Sequence, residues 1–239
     1  MAAASLSMAA GIWPENANSN APMTMTSTQV VEQMQLHNQT RMDGLRRYKE
    51  LRHYQVEYRG LTTLVAQLEV EVTFDTSTGK TFRIVSQSGS KLLCDRVLKR
   101  LVESEQEAGK DKSSTALTKA NYRFESAGSE SVNGRQAYVL NVEPLVANKF
   151  LYVGKIWVDA TDFAVAKIEA EPSKSPSFWI KRTLIHHTYA HTGGFWLPHQ
   201  NRSETKVRLG GTAVLTIDYG TYETVPQNAA DASSMAAGR

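Results

Sequence analysis

Residues 135–171, RQAYVLNVEPLVANKFLYVGKIWVDATDFAVAKIEAE, decide the fold. Taken two at a time, Tyr138, Leu140 and Val142 fall on one face, with Ala137, Val139, Asn141 and Glu143 on the other. Ile156 and Val158 lead into the polar turn Asp159-Ala160-Thr161-Asp162, and Val165 and Lys167 begin a return strand. Apolar residues at a spacing of two, closed by a short polar turn, describe an antiparallel hairpin with one buried face.

The same pattern extends in both directions. Upstream, Asn133-Gly134 is a strong hairpin signal between this stretch and a strand over 121–127. Residues 53–59 open the sheet, and Ala66, Leu68, Val70, Val72 and Phe74 then alternate with Gln67, Glu69, Glu71 and Thr73. Asp75-Thr76-Ser77-Thr78-Gly79 supplies a turn, and Phe82, Ile84 and Ser86 carry the chain back. Downstream, Gly193-Gly194 and Gly210-Gly211 divide three strands over 178–191, 195–208 and 212–223. Pro198 is at odds with a central strand, so its strand is expected to begin late or carry a bulge.

Two segments change period. Thr28 can cap a helix in which Val31, Met34, Met42, Leu45, Tyr48 and Leu51 recur to about residue 52. Its C-terminal end would carry Arg46, Arg47, Lys49 and Arg52, where cations suit the helix dipole. Over 91–107, Leu92, Val97, Leu98, Leu101 and Val102 describe a second amphipathic helix. The expected fold is α+β but mainly β. It is a single curved antiparallel sheet of about ten strands with two helices, one leading and one inserted after the third strand. The domain is expected over 28–225, between disordered tails at 1–27 and 226–239. The opening MAAASLSMAAGIW reads as the tail half of a secretory signal whose charged start is missing.

Composition narrows the function classes. With 239 residues, 41% hydrophobic and 21% charged, the chain is that of a soluble globular protein with one large sheet. A net charge of +3, with both signs interleaved, is no nucleic-acid footprint. The single cysteine, Cys94, excludes an intrachain disulfide and reads as a small buried hydrophobe.

Residues that could carry chemistry do not converge in the sequence. His187, Tyr189 and His191 share a strand face from which His186 points away, and His199 lies beyond the next turn. Two same-face histidines fall short of a metal site, so neither a metal nor a cofactor is expected. A metal-dependent hydrolase built on 186–199 is the minor alternative. Asp159 and Asp162 bracket a turn, where aspartate serves its own backbone. No nucleophile elbow or phosphate loop occurs, and no catalytic residue is nominated. Aromatic residues, Trp157, Phe178, Trp179, Tyr189, Phe195, Trp196 and Tyr219 among them, gather in the C-terminal half. They read as ordinary core or as a cavity lining. A sheet of this size has more inner face than two helices can cover, and an uncovered apolar hollow takes apolar ligands.

The order helix, meander, helix, long run of strands resembles the bacterial outer-membrane lipoprotein-sorting family, with its LolA/LolB-like fold, in its uncharacterised branches. The stretches that carry the resemblance are NGRQAYVLNVEP, KIWVDATDFAVAKIEAE, GGFWLPHQNRSE and TAVLTIDYGTYE, within residues 28–225. The resemblance implies an unclosed barrel with a helical lid over a hydrophobic cavity, a periplasmic location, and carriage of acylated cargo without a cofactor. The expected cavity draws on Leu68, Val70, Val72, Phe74, Tyr138, Leu140, Val142, Trp157 and Trp196, with Val97, Leu98 and Leu101 on the lid helix. The expected partners are lipid or acylated lipoprotein and membrane-associated proteins, bound by a monomer. Arg59, Arg83 and Arg182 are candidate cavity arginines. The alternative is an envelope sensor or scaffold of the same fold that binds a protein partner.

Overall fold

The computed structural model describes residues 25–110, 112–175, 178, 180–208 and 210–227. The expected signal remnant and most of both expected tails lie outside them. One antiparallel sheet organises everything else. Its strands are β1 (Leu45–Arg59), β2 (Thr63–Asp75), β3 (Gly79–Gly89), β4 (Tyr122–Val132), β5 (Arg135–Pro144), β6 (Tyr152–Asp159), β7 (Val165–Pro172), β8 (Ile180–Thr192), β9 (Phe195–Val207), β10 (Thr212–Tyr219) and β11 (Glu223–Pro226). The spatial order is β3-β2-β1-β10-β9-β8-β7-β6-β5-β4, with β11 continuing alongside β1. Every neighbour is a sequence neighbour except that β1 pairs with β10 and β11. The edges β3 and β4 stay unpaired with each other, so the barrel is not closed.

Helix α1 (Ser27–Gly44) begins at a capping box in which Thr26, not Thr28, accepts from the Gln29 amide. It ends at Gly44, well short of the sequence expectation. Leu45, Tyr48 and Arg52 belong to β1, because residues 47–59 all find ladder partners on β2. A spacing of three to four can be read as helix, but a full set of cross-strand bonds outweighs that local preference. The basic cluster is thus no helix end.

The chain crosses from β3 to β4 through a second helical layer: α2 (Lys91–Leu93), a π-helical turn (Cys94–Leu98), α3 (Lys99–Lys110) and α4 (Lys112–Thr115). The wider turn shifts the buried stripe. Leu93, Cys94, Leu98 and Val102 face the sheet, while Leu92 is exposed.

Two cores result, both on the concave face. Under α2–α3 lie Tyr54, Val56, Leu68, Val70, Val72 and Phe74. Under α1, Val30, Val31 and Met34 pack on Leu140, Val142, Ile156 and Val158. Asn133 and Gly134 have φ of 52° and 78°, the tight hairpin their sequence demands. At Pro198 the ladder steps from Thr188–Gln200 to Tyr189–Pro198, so the strand is bulged there, with His199 as its extra residue.

Candidate functional site

A cleft of about 920 Å³ lies between α1, residues 115–120 and the inner face of β6–β9. Met34, Ile168, Val165 and Ala164 make its apolar wall, while Tyr152, His187, Tyr189 and Trp196 form an aromatic floor. Strand periodicity positions the floor: His187 and Tyr189 are two apart on β8 and stack at 4.5 Å between centroids. His187 also stacks on Tyr219 at 5.9 Å.

Burial sets the electrostatics of this floor. The Tyr189 phenol is pushed up to about 12 by burial. The Tyr152 and Tyr219 phenols are also raised well above their ordinary value by burial. His187 is lowered to about 4, first by burial, while Arg52 and Lys80 repel its charge and Glu105 favours it. It is therefore a neutral imidazole at neutral pH. Its Nε2 is buried with no hydrogen-bond partner among the described residues. An orphaned buried polar atom costs about 1–3 kcal/mol, and a ligand group reaching it would recover that.

Behind His187 lies an ion network that sequence reasoning missed, buried at Glu50 and Arg52 and reaching solvent at Glu105 and Lys80. Arg52 on β1 donates from Nε to Glu50 Oε1 at 2.8 Å and from Nη1 to Glu105 Oε2 at 2.7 Å. Lys80 on β3 donates to Glu105 Oε1 at 3.0 Å, and the Arg52 guanidinium lies 4.7 Å from the Tyr219 ring centre. Burial works against the Arg52 charge, but Glu105, Tyr219 and Glu50 more than offset it and hold its pKa up. Burial likewise works against the Glu105 carboxylate, which Lys80 and Arg52 hold below its ordinary value. Glu50 is raised, because burial outweighs Arg52 there. The alternation of β1 was the available signal: Tyr48, Glu50, Arg52, Tyr54 and Val56 share a face once the segment is read as strand.

A second cluster closes the cleft near the β6–β7 turn. Asp159 is buried and accepts from the Thr161 and Asp162 amides and twice from Arg135. Burial opposes its charge, but Arg135 and the two amides hold the carboxyl below its usual range. Asp162 accepts from Trp196 Nε1 at 2.9 Å through its carboxylate and from Arg41 at 2.8 Å through its carbonyl. The turn thus ties α1 and β9 together.

Of the expected cavity residues, Trp196 lines this cleft. Leu68, Val70, Val72 and Phe74 lie under the second helical layer, packed against Leu98 with Val97 and Leu101. Leu140 and Val142 are buried under α1, where Tyr138 is partly buried. Trp157 is on the convex face with Ala137 and Val139, its Nε1 donating to Glu130 at 2.9 Å and Lys167 over its ring. Its strand neighbours Ile156 and Val158 face inward, so alternation sends it outward, away from the hollow. Arg59, Arg83 and Arg182 are exposed, paired with Glu57, Glu71 and Glu171. Among the described residues, no three of His, Cys, Asp and Glu come together in a way that could hold a metal, and no helix is long and apolar enough to cross a membrane.

No family model matches the chain, and no curated protein matches it. Solved structures do. A DUF1329 family protein from Desulfovibrio piger is 12% identical over 84% of this chain and 94% of its own, with a TM-score of 0.42. A putative outer membrane lipoprotein-sorting protein domain from Vibrio parahaemolyticus is 13% identical over 84% of this chain and 96% of its own, with a TM-score of 0.41. A LolA superfamily protein from Nitrosomonas europaea is 12% identical over 83% of this chain and 93% of its own, with a TM-score of 0.36. The fold of the chain is similar to theirs.

Proposed function

We propose that the protein is a carrier of the bacterial periplasm that holds the acyl chain of a lipid or lipoprotein in the cleft beneath α1 and performs no chemistry on it. The observation that carries this reading is the cleft itself: about 920 Å³, lined on the sheet side by aliphatic and aromatic side chains and on the α1 side by Met34 with Gln35, Asn38, Gln39 and Arg41. Its volume falls in the range of ligand pockets, about 300–1,000 Å³. A buried methylene contributes about 0.8 kcal/mol, so such a cleft can compete with a membrane for an acyl chain. Leu68, Val70, Val72 and Phe74, now under Val97, Leu98 and Leu101, extend the apolar surface. They would join the cleft on displacement of the lid formed by α2 and α3.

Uptake of a fluorescent fatty acid, with native mass spectrometry of the purified protein, tests this reading. Saturable uptake of one chain per protein supports it. Absence of both uptake and co-purified lipid sinks it, in favour of an envelope module that binds a protein partner.

A further inference from the structure

The two ends of the sheet differ in chemistry. At one end the turns are 76–78, 133–134, 160–164 and 193–194; their one large apolar side chain, Phe163, is half-buried, and Val225 of β11 beside them is only 38% exposed. At the other end lie the β1–β2, β5–β6, β7–β8 and β9–β10 connections and the start of α2. Here Leu61 is fully exposed, Val146 is 76% exposed and Phe178 74%, with Leu92 and Leu145 more than half exposed. Scattered exposed apolar residues are ordinary, but a whole end of a sheet with one at nearly every tip is not.

These tips form one rim. Ser173 Oγ donates to the Asn148 carbonyl at 2.8 Å and joins the β7–β8 connection to the β5–β6 connection. Arg208 lies 5.1 Å from the Phe178 ring centre, joining β7–β8 to β9–β10. Tyr58 donates to the Gly210 carbonyl at 3.0 Å, joining β9–β10 to β1. The Ser90 amide donates to the Val65 carbonyl at 2.7 Å, joining α2 to β2.

The charge on the rim has one sign in excess. Glu57, Glu107 and Glu171 are matched by Arg59, Lys149 and Arg182, and Glu204, level with Glu57 across β10, is an unmatched anion among the described residues. Lys91, Lys174, Lys181 and Arg208 have no ion-pair partner among the described residues. Apolar tips interleaved with unmatched cations suit an interface that is apolar below and anionic above. We propose that this rim docks the protein on an anionic phospholipid bilayer, with Leu61, Leu145 and Val146 entering the acyl boundary and Lys174 and Arg208 lying at the phosphates. The site is separate from the cargo cleft, although Ala120 lines both the cleft and a depression on the rim formed by residues 145–149.

Co-sedimentation of the full chain with vesicles tests the proposal. One vesicle is phosphatidylcholine alone and the other is equimolar phosphatidylcholine and phosphatidylglycerol. Binding is expected to the anionic vesicle only and to weaken as salt rises. Lys174→Gln and Arg208→Gln should each weaken it about fivefold, and Leu61→Ser with Val146→Ser should weaken it several-fold. Thr78→Ser, at the opposite end, should leave it unchanged. No binding to anionic vesicles at low salt, equal binding to both vesicles, or full binding by the Leu61→Ser/Val146→Ser variant overturns the proposal. Fatty-acid uptake measured without vesicles reports on the cleft alone, so the two readings fail separately.

Discussion

The Arg52 guanidinium on β1 donates to Glu105 on α3 across 2.7 Å, joining residues 53 positions apart. With the Lys80–Glu105 pair, it ties the sheet to the second helical layer. Its Arg52 end is enclosed, with that side chain 1% exposed, while the Glu105 carboxylate is partly open to solvent.

Removing Arg52 leaves Glu50, enclosed in the core, without its ion-pair partner. Arg52→Met should lower the unfolding free energy by about 3–5 kcal/mol, read as a shift of the urea midpoint. Glu105→Gln should cost less, because Arg52 keeps Glu50. The Arg52→Met/Glu105→Met double variant should recover part of the loss. An Arg52→Met protein as stable as the wild type would show that the network contributes nothing.

His187 gives a stability that depends on pH. Its folded pKa of about 4 lies below the ordinary 6.5, so the unfolded chain binds more protons between these values. Stability from this group is complete above pH 6.5 and is lost as pH falls toward 4. Comparing urea midpoints at pH 7.5 and 5.0 should show a drop in the wild type that His187→Phe flattens. An equal drop in both assigns it to other groups.

The cleft should be blockable. Val165→Trp adds bulk from a partly buried wall position and should abolish fatty-acid uptake while changing stability by less than about 3 kcal/mol. Full uptake by this variant would move the ligand elsewhere.

The two tryptophans in view should respond differently to cargo. Trp196 lines the cleft, so a bound quencher-labelled chain should dim it, and Trp196→Phe should remove that change. Trp157 lies on the convex face, and Trp157→Phe should leave both the quenching and the uptake as they were. Quenching lost with Trp157 instead would place the ligand outside.

Much of this architecture is legible residue by residue. The alternation of 66–74 specifies β2 and its buried face, and Asn133-Gly134 specifies a hairpin, because each depends on the chain's local geometry alone. Pro198 announces its bulge for the same reason, having no amide to donate. β1 was less legible, since Leu45, Tyr48 and Arg52 fit a helical spacing as well as a strand. Its partners β2 and β10 are brought together only by the finished sheet.

The amino-acid sequence by itself determined β2, the hairpin at Asn133-Gly134 and the alternation of β5, since these follow from period two and turn chemistry. The tertiary structure alone decided which apolar residues are covered and which line a hollow. Leu68 and Trp196 look equally apolar in sequence, yet one lies beneath a helix and the other lines the cleft, through packing between distant elements. It also decided that Arg52 is buried, because a charge can be enclosed only where Glu50 and Glu105 are folded against it. The same assembly brings Leu61 and Val146, each unremarkable in its own loop, to one end of the sheet.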